Sequence, residues 1–404
     1  CGGCNAVCEG FGEQCVSSTC VPGGSYGIEG GSRMDDVGTA AAYRPDGTLV
    51  VGGTFTGRGY GIGCGSSLDA QGIAAVVSRR DLDRCSQVLA IDGTGDEIIT
   101  GIELDAAGNA IVVLTTTSAT LSVGSIAVNA AAGQGMRDVV VALLDTSLVP
   151  RWARRYGGPS DDVGGELAVN GTEAWIATGI RGPATIGTGN LPTSATTDPV
   201  LIALSAADGN FIRFVNVTTS GADFARGVAL DATNVYVVGT LAGSGMFGST
   251  PLPATGATDG FAWVFDRTTS TTSAARAMGG GGSDSLSAIV GGGGAGPLVA
   301  VGTFDGMLGG LTSAGGTDGV VVALDSGLAT QWNKQMGGTG NDTLVDVDDI
   351  GMHVVAVRTL LWALCMPLMA LVVLGYRLLG RIVPGAESIG PQEIEALVLL
   401  GMAM

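Results

Sequence analysis

The residues most able to do chemistry are aspartates that recur about every 60 positions, each close behind a glycine-rich turn. This first series is Asp36, Asp96, Asp162, Asp223, Asp284 and Asp342. A second series opens later segments of the same repeat, at Asp138, Asp198, Asp259 and Asp318. Ca²⁺ prefers carboxylate and carbonyl oxygens, so a repeated calcium site at the first series is one interpretation. No D-x-D-x-D-G loop is present, however, and an aspartate at a turn commonly accepts hydrogen bonds from backbone N–H groups. We favour that structural role, which needs no cofactor.

Signals for catalysis are weak. Residues 23–27 fit the G-x-S-x-G pattern of a nucleophilic serine, but they lead into a strand, and the single histidine, His353, lies in an apolar strand. Residues 291–296 fit G-x-G-x-x-G without a following helix to hold a pyrophosphate. Adjacent carboxylates such as Asp161 and Asp162 could serve glycoside hydrolysis, yet they recur as part of the repeat. We therefore expect a non-enzymatic protein without catalytic residues, and a carbohydrate-active enzyme that uses carboxylates is the alternative.

The charge balance restricts the class of partner. The chain of 404 residues carries a formal net charge of -18, and Lys334 is its only lysine. Nucleic acid needs a basic surface for its phosphates, so we expect no nucleic-acid partner. The same acidity disfavours anionic membrane surfaces and favours cationic partners.

Cysteine usage indicates an oxidising compartment. Seven cysteines crowd the first part of the chain: Cys1, Cys4, Cys8, Cys15, Cys20, Cys64 and Cys85. Such crowding favours disulfides, with Cys64 and Cys85 as one expected pair, while the spacing of Cys1 and Cys4 also suits zinc. Five cysteines within residues 1–22 is an odd number. Either a partner cysteine lies upstream, or Cys1 carries the lipid of a mature bacterial lipoprotein.

The repeat itself predicts the fold. In the second repeat, residues 97–104, 110–115, 139–144 and 151–156 alternate apolar with small or polar side chains, which is typical of four short strands. Four antiparallel strands repeated at a fixed period predict a β-propeller. We count five full repeats. An outer strand at residues 25–30 and an inner pair within residues 342–357 would complete an all-β propeller of six four-stranded blades, whose last blade lacks its third strand.

The repeat pattern breaks at Arg358. Residues 359–376 carry no charge and are flanked by Arg358, Arg377 and Arg381, a pattern that fits a membrane-spanning helix of about 20 residues. The alternative is that this tail does not belong with the repeats. The expected organisation is a Cys-rich segment at residues 1–22, the propeller at 23–357, and a hydrophobic helix with its tail at 358–404.

Three phrases carry a resemblance across residues 25–357: Gly-Gly-x-x-Asp-Asp, Val-x-Val-Gly-Thr-Phe and Asp-Gly-Val-Val-Val-Ala-Leu-Asp. They resemble the bacterial β-propeller repeats called SBBP-like, found in large secreted or surface proteins. The cysteines of residues 1–22 look like the tail of a Cys-rich surface motif that accompanies such propellers.

The resemblance implies an extracytoplasmic propeller and offers no catalytic residues. We expect a binding, adhesion or scaffold module on the cell envelope or secreted from the cell, whose loop face takes a protein or glycan ligand. Membrane anchoring would run through residues 359–376 or a lipid on Cys1. A structural surface repeat without a ligand is a further alternative.

Overall fold

The chain is described by a computed structural model over residues 13–16, 19–22, 37–44, 47–59, 68–81, 84–130, 137–291, 297–349 and 354–360. Every regular element in these residues is a β-strand, which confirms the all-β prediction. None of the described residues forms a helix long and apolar enough to span a membrane. The predicted hydrophobic helix at residues 359–376 lies outside these residues from position 361 onward.

The strands form successive antiparallel sheets that follow chain order, and within each sheet we name the strands a, b, c and d. A short hairpin precedes them, formed by β1 (Glu13–Val16) and β2 (Thr19–Pro22). The first three sheets are unit 1 (β3 Val37–Tyr43, β4 Thr48–Gly59, β5 Leu68–Asp81, β6 Arg84–Ile91), unit 2 (β7 Glu97–Leu104, β8 Ala110–Thr116, β11 Asp138–Leu144, β12 Pro150–Tyr156) and unit 3 (β13 Val163–Val169, β14 Glu173–Ile180, β17 Asp198–Ser205, β18 Phe211–Asn216).

Two more sheets repeat this order, and the described residues include two strands of a sixth unit. They are unit 4 (β20 Phe224–Leu230, β21 Asn234–Leu241, β24 Asp259–Asp266, β25 Thr271–Met278), unit 5 (β26 Ser285–Val290, β27 Leu298–Phe304, β30 Asp318–Leu324, β31 Thr330–Met336) and unit 6 (β32 Asp342–Asp349, β33 Val354–Leu360). The four strands predicted for the second repeat match unit 2 to within one residue at every end. Strand β33 runs to Leu360, so the expected end of the repeats at Val357 falls inside a strand.

The sheets are stacked face to face around a common axis. Strand a of each unit packs against strand a of the next, from β3 through β7, β13, β20 and β26 to β32, so these strands are innermost. One hydrophobic core lies between each pair of neighbouring units. On β11, for example, Val139 and Val141 face unit 3, whereas Val140 and Ala142 face unit 1. This follows from the period-two alternation of a strand buried on both faces, and the arrangement is propeller-like.

A small hairpin links strands b and c in units 2 to 5, and we call these four the rim hairpins. Their strands are β9 Ser122–Val123 with β10 Ile126–Ala127, β15 Ala184–Ile186 with β16 Gly189–Leu191, β22 Gly245–Phe247 with β23 Thr250–Leu252, and β28 Met307–Leu308 with β29 Leu311–Thr312. In unit 4, β22 also pairs with β19 (Thr218–Thr219), which follows strand d of unit 3. Each rim hairpin packs on strand d of its own unit, so it lies on the outer rim. These hairpins were not predicted from the sequence.

Several sequence predictions concern residues that are described only in part. Cys15 and Cys20 face each other across the ladder of β1 and β2, and Cys85 lies in β6 opposite Arg80. Cys1, Cys4, Cys8 and Cys64 lie outside the described residues, as do Asp36 and residues 25–30. The disulfide, zinc and lipid assignments therefore remain predictions.

Candidate functional site

The first aspartate series is held by backbone donors. The Oδ2 atom of Asp162 accepts a hydrogen bond of 2.7 Å from the N–H of Gly158, and its Oδ1 atom accepts one of 2.8 Å from the N–H of Arg181. Asp284 is held in the same way by the N–H groups of Gly280 (2.7 Å) and Asp305 (3.0 Å). Both side chains are fully buried. These bonds confirm the structural role that the turn chemistry favours.

Asp342 and Asp223 each show one of these two kinds of contact. Asp342 accepts a hydrogen bond of 2.7 Å from Gly338 N, and Asp223 accepts hydrogen bonds from the N–H groups of Ala242 and Gly243. Within the described residues, no three His, Cys, Asp or Glu side chains are grouped to hold a metal ion. The calcium alternative gains no support from these contacts.

In unit 2 the series is carried by Glu97, and the assignment of Asp96 to it was wrong. Glu97 is fully buried, and its Oε2 atom accepts a 2.9 Å hydrogen bond from Gly93 N, as Asp162 does from Gly158. Its Oε1 atom accepts hydrogen bonds from the hydroxyls of Thr116 (2.8 Å) and Ser118. The sequence holds the signal, because a glycine stands four residues before Glu97 as it does before Asp162.

The two aspartate series meet at one end of the sheets, which we call the loop face. The backbone N–H of each first-series aspartate donates a hydrogen bond to the carbonyl of the residue just before a second-series aspartate. These bonds run from Asp162 to Arg137, Asp223 to Thr197, Asp284 to Thr258 and Asp342 to Thr317, at 2.7–2.9 Å. The carboxylates of Asp138 and Asp162 both border Gly157, where a Cβ atom would collide with Asp138. The two series therefore share a face, as expected for a four-stranded meander, in which the b–c and d–a connections emerge at the same end.

The second series is also engaged in internal contacts. The Oδ2 atom of Asp138 lies 2.8 Å from Nε and 2.6 Å from Nη2 of Arg155, and both side chains are buried. The Oδ2 atom of Asp318 accepts from Ala314 N (2.6 Å) and from Gln335 Nε2 (2.9 Å). The most regular carboxylates of the chain are therefore part of the framework, and a ligand would have to use other groups.

Four further carboxylates lie on the innermost strands, and of these only Asp348, in the adjacent pair Asp348 and Asp349, stood out in the sequence. Every strand a carries a β-bulge shortly after its first residues. Bulges re-aim side chains. Glu166 lies within the bulge of unit 3, and Asp346 directly follows the bulge of unit 6. Glu103 in unit 2 and Asp348 in unit 6 lie two positions beyond the first residue after the bulge. We call these four residues the axial cluster. In unit 3 the signal was a lone carboxylate inside strand a, Glu166, whereas β7 and β32 each carry more than one acidic residue.

The electrostatics of the axial cluster show that its members are neighbours. Desolvation raises the pKa of Glu103 to about 7, and the charges of Asp348 and Asp346 act in the same direction. Desolvation also raises the pKa of Glu166 well above its usual value, aided by Asp346 and Glu103. Yet the side chain of Glu103 is exposed to water and that of Glu166 is half-buried. Both carboxylates are thus crowded by acidic neighbours although water reaches them, and this crowding favours their protonated forms.

Two shallow depressions lie away from the axis. One, of about 290 Å³ on the loop face, is lined by Pro159, Ser160, Asp161, Arg181 and Thr197. The other, of about 380 Å³, lies between the outermost strands of units 3 and 4, above the buried rings of Trp263 and Phe265. The first is lined mainly by polar and charged groups, and the second by apolar and small polar groups in similar measure. Among these lining residues no nucleophile is paired with a base.

Comparison with known proteins gives only a general likeness. No protein-family model and no curated protein matches the chain. Among solved structures, the Dos1 propeller superposes with a TM-score of 0.37 and 9% identity, over 80% of this chain and 66% of that one. A mutant of the Synechocystis apocarotenoid oxygenase gives 0.39 and 10% over 77% and 61%, and a luciferin-regenerating enzyme gives 0.35 and 12% over 77% and 79%. This chain thus spans less than two thirds of the first two structures. Likenesses this distant leave the function to be argued from the residues themselves.

Proposed function

We propose that this protein is an extracytoplasmic β-propeller of the bacterial cell envelope that binds a protein or glycan ligand and catalyses no reaction. The observation that carries the proposal is the construction of the rim hairpins. All four have the same frame, while the exposed side chain at one equivalent position varies between serine, threonine and methionine.

The constant part of the frame is a buried tip residue followed by a glycine. The tip residues are Val123, Ile186, Phe247 and Leu308, all less than 5% exposed. The glycines that follow, Gly124, Gly187, Gly248 and Gly309, all have φ between 54° and 62°, a conformation that glycine adopts without strain. This pairing fixes the position of every hairpin on the rim.

The variable part is the residue just before the tip. These residues are Ser122, Thr185, Met246 and Met307, and all four side chains are exposed. Met246 and Met307 are 50% and 61% exposed, so their side chains are available to a partner. A fixed frame that presents variable side chains at equivalent positions is how rigid scaffolds build recognition surfaces.

The framework role of the buried carboxylates supports a non-enzymatic function. Asp162 and Asp284 are engaged by backbone N–H groups, so the most regular acidic groups are not poised to attack a substrate. The proposed location outside the cytoplasm rests on the cysteine-rich start and the strongly acidic composition. Anchoring through residues 359–376 or a lipid on Cys1 is part of the same proposal.

A glycan array and an array of surface proteins, each probed with the intact chain, would test this function. The expected result is binding to a small set of related ligands that persists when Ca²⁺ is chelated, because the buried aspartates need no metal. Silence on both arrays, with and without Ca²⁺, would contradict the proposal and favour a structural repeat without a ligand.

A carbohydrate-active enzyme is the second candidate, and the axial cluster is the observation that favours it. A carboxyl group with a pKa near 7, such as Glu103, can donate a proton at neutral pH while a neighbouring carboxylate stays ionised. Release of reducing sugar from a polysaccharide panel would reveal this activity, and Glu166→Gln and Glu103→Gln should abolish it. The binding proposal expects no release from the unaltered protein.

A further inference from the structure

The depression on the loop face of unit 3, which we call the loop-face depression, holds two opposite charges that are not paired. Its lining includes the guanidinium of Arg181 and the carboxylate of Asp161, and both side chains are exposed. Among the residues that the structure describes, neither charged group has a hydrogen-bond or ion-pair partner. Two such groups that border one depression without joining are open to a ligand with complementary groups.

The walls of the loop-face depression are fixed by buried framework aspartates. The side chain of Asp162 accepts hydrogen bonds from the N–H groups of Gly158 (2.7 Å) and Arg181 (2.8 Å), so it ties the turn before strand a of unit 3 to the end of its strand b. A Cβ atom on Gly158 would come within 3.0 Å of the carbonyl of Arg181. The carbonyl of Thr197 accepts a 2.9 Å hydrogen bond from Asp223 N. The backbone of the depression is therefore preorganised, which lowers the cost of binding.

The arginine of this depression is particular to unit 3. The residue whose N–H donates to Oδ1 of the first-series aspartate is Arg181 in unit 3, Ala242 in unit 4 and Asp305 in unit 5. This framework contact uses only the backbone, and it is present in all three units. The framework therefore does not account for the Arg181 side chain, whereas the threonine just before strand c recurs in units 4 and 5.

The surroundings of the loop-face depression are less acidic than the chain as a whole. Arg137 lies next to the same turn, where its carbonyl accepts the N–H of Asp162, and its side chain is exposed. The buried Asp138 is neutralised by Arg155, whose Nη2 atom lies 2.6 Å from its Oδ2 atom. Burial raises the pKa of Asp162 to about 7, so this carboxyl carries only part of its charge at neutral pH. A chain with a net charge of -18 thus has a local surface that an anion can approach.

The lining groups match a sugar that carries a carboxylate. A guanidinium can pair with a carboxylate through two parallel hydrogen bonds, whereas the Asp161 carboxylate only accepts and so suits hydroxyl donors. The hydroxyls of Ser160 and Thr197 both donate and accept, as sugar hydroxyls do. Among the described lining residues only Pro159 is apolar, so the depression offers little to an apolar peptide side chain. Its volume of about 290 Å³ is at the small end for a ligand site, which suits a single sugar ring.

We propose that the loop-face depression binds a hexuronate residue of an acidic glycan. The carboxylate of the sugar pairs with Arg181, and its ring hydroxyls donate to Asp161 and exchange hydrogen bonds with the two lining hydroxyls. This inference rests on the proposed binding of a glycan and adds a second site to the rim hairpins. The two surfaces are adjacent, because Gly157 forms an isolated β-bridge with Thr185 of the unit 3 rim hairpin. One glycan chain can therefore contact both.

Titration calorimetry of the full chain with short hexuronate oligosaccharides tests this site. The probes are trimers of galacturonate, glucuronate and mannuronate, each with its neutral methyl ester as the matched ligand. We expect at least one acidic trimer to bind and its ester to bind about tenfold more weakly or less, because the ester cannot form the ion pair with Arg181. Failure of every acidic trimer to bind, or equal binding of acid and ester, would overturn the proposal.

Arg181→Gln is the informative variant, because it removes the positive charge and keeps the backbone N–H that holds Asp162. We expect it to weaken binding of the acidic trimer about tenfold or more and to leave the Tm unchanged. Arg137→Gln is the matched control, since it removes an exposed positive charge beside the same turn but outside the depression. It should change the affinity less than about twofold, because solvent screens exposed charges. Equal losses in the two variants would show general attraction by charge and would contradict the site.

A glutamate-rich peptide and the rim variants separate this inference from the proposed function. If the peptide binds more tightly than any trimer and loses its binding in Arg181→Gln, the depression takes an acidic protein segment and the sugar is disproved. Trimer binding that is lost in Arg181→Gln but unaffected by Met246→Lys would support the site while the rim hairpins lost their role. Array binding that depends on Met246 but not on Arg181 would leave the proposed function intact and reject this site.

Discussion

The buried carboxylate of Glu97 accepts a 2.9 Å hydrogen bond from the backbone N–H of Gly93, a contact that aspartates make in other units. Asp162 makes it with Gly158, and Asp342 makes it with Gly338. What recurs is therefore an acceptor position four residues after a glycine, and either acidic side chain can fill it. This position fixes the turn between strand d of one unit and strand a of the next.

Loss of the Glu97 carboxylate should destabilise the fold far more than loss of its neighbour. In Glu97→Ala, the N–H of Gly93 and the hydroxyls of Thr116 and Ser118 lose their acceptor. We expect the free energy of unfolding to fall by about 3 kcal/mol, because buried donors without partners are costly. Asp96→Ala should cost less than about 1 kcal/mol, as is usual for a half-buried loop side chain. Urea denaturation of both variants checks this, and equal losses would contradict the reassignment.

Gly157 should tolerate no side chain. A Cβ atom there would collide with Oδ1 of Asp138 and approach Oδ2 of Asp162 to 2.8 Å. Because both carboxylates are buried, we expect Gly157→Ala to lower the unfolding free energy by about 2–3 kcal/mol through overpacking. Gly281 has open space around its Cα, so Gly281→Ala is the matched control and should stay within about 0.5 kcal/mol. If both substitutions were neutral in thermal melts, the convergence of the two carboxylates on Gly157 would be disproved.

Two adjacent residues of one rim hairpin should contribute very unequally to stability. Phe247 is fully buried against Phe261 and Trp263, with ring centroids 5.1 Å and 5.7 Å away. We expect Phe247→Ala to cost about 3–5 kcal/mol, as for other large core truncations. Met246→Ala should change the unfolding free energy by less than about 0.5 kcal/mol, because its side chain is half exposed. Chemical denaturation measures both, and a large loss in Met246→Ala would refute the division into frame and exposed position.

Stability should fall as the pH rises through the range in which Glu103 titrates. The pKa of Glu103 is raised from 4.5 to about 7 in the folded state, so the folded chain binds more protons than the unfolded chain between these values. Stability is therefore highest below pH 4.5 for this group and declines until about pH 7. Water that reaches the exposed Glu103 side chain screens its charge, so we expect about 1 kcal/mol from this residue.

Urea midpoints at several pH values between 5 and 7.5 test this slope. Glu103→Gln should flatten it. Asp231→Asn is the control, because hydrogen bonds lower the pKa of Asp231 to about 2 despite its partial burial, and its titration falls below this range. A slope that is the same in Glu103→Gln as in the unaltered chain would show that Glu103 is not crowded on the axis.

The period of the repeat made much of the fold predictable, because it repeats a pattern that the structure uses in every unit. The strands of unit 2 and the shared face of Asp138 and Asp162 follow from alternation and from chain order. The rim hairpins did not follow, because strands of two or three residues such as Gly245–Phe247 are too short for alternation to show. The bulges were equally hidden, since a bulge depends on pairing between strands, and the axial position of Glu103 and Glu166 depends on the bulges.

The most direct test of ligand binding by the rim hairpins compares matched variants on the same glycan and surface-protein arrays. Met246→Lys and Met307→Lys place a charge at two exposed rim positions, and Val149→Lys places one at an equally exposed site on the opposite end of unit 2. We predict that each rim variant weakens the array signal at least about tenfold, a loss of about 1.4 kcal/mol, while Val149→Lys leaves it unchanged. Binding that is unaffected by both rim variants, or weakened equally by Val149→Lys, would contradict the proposed function.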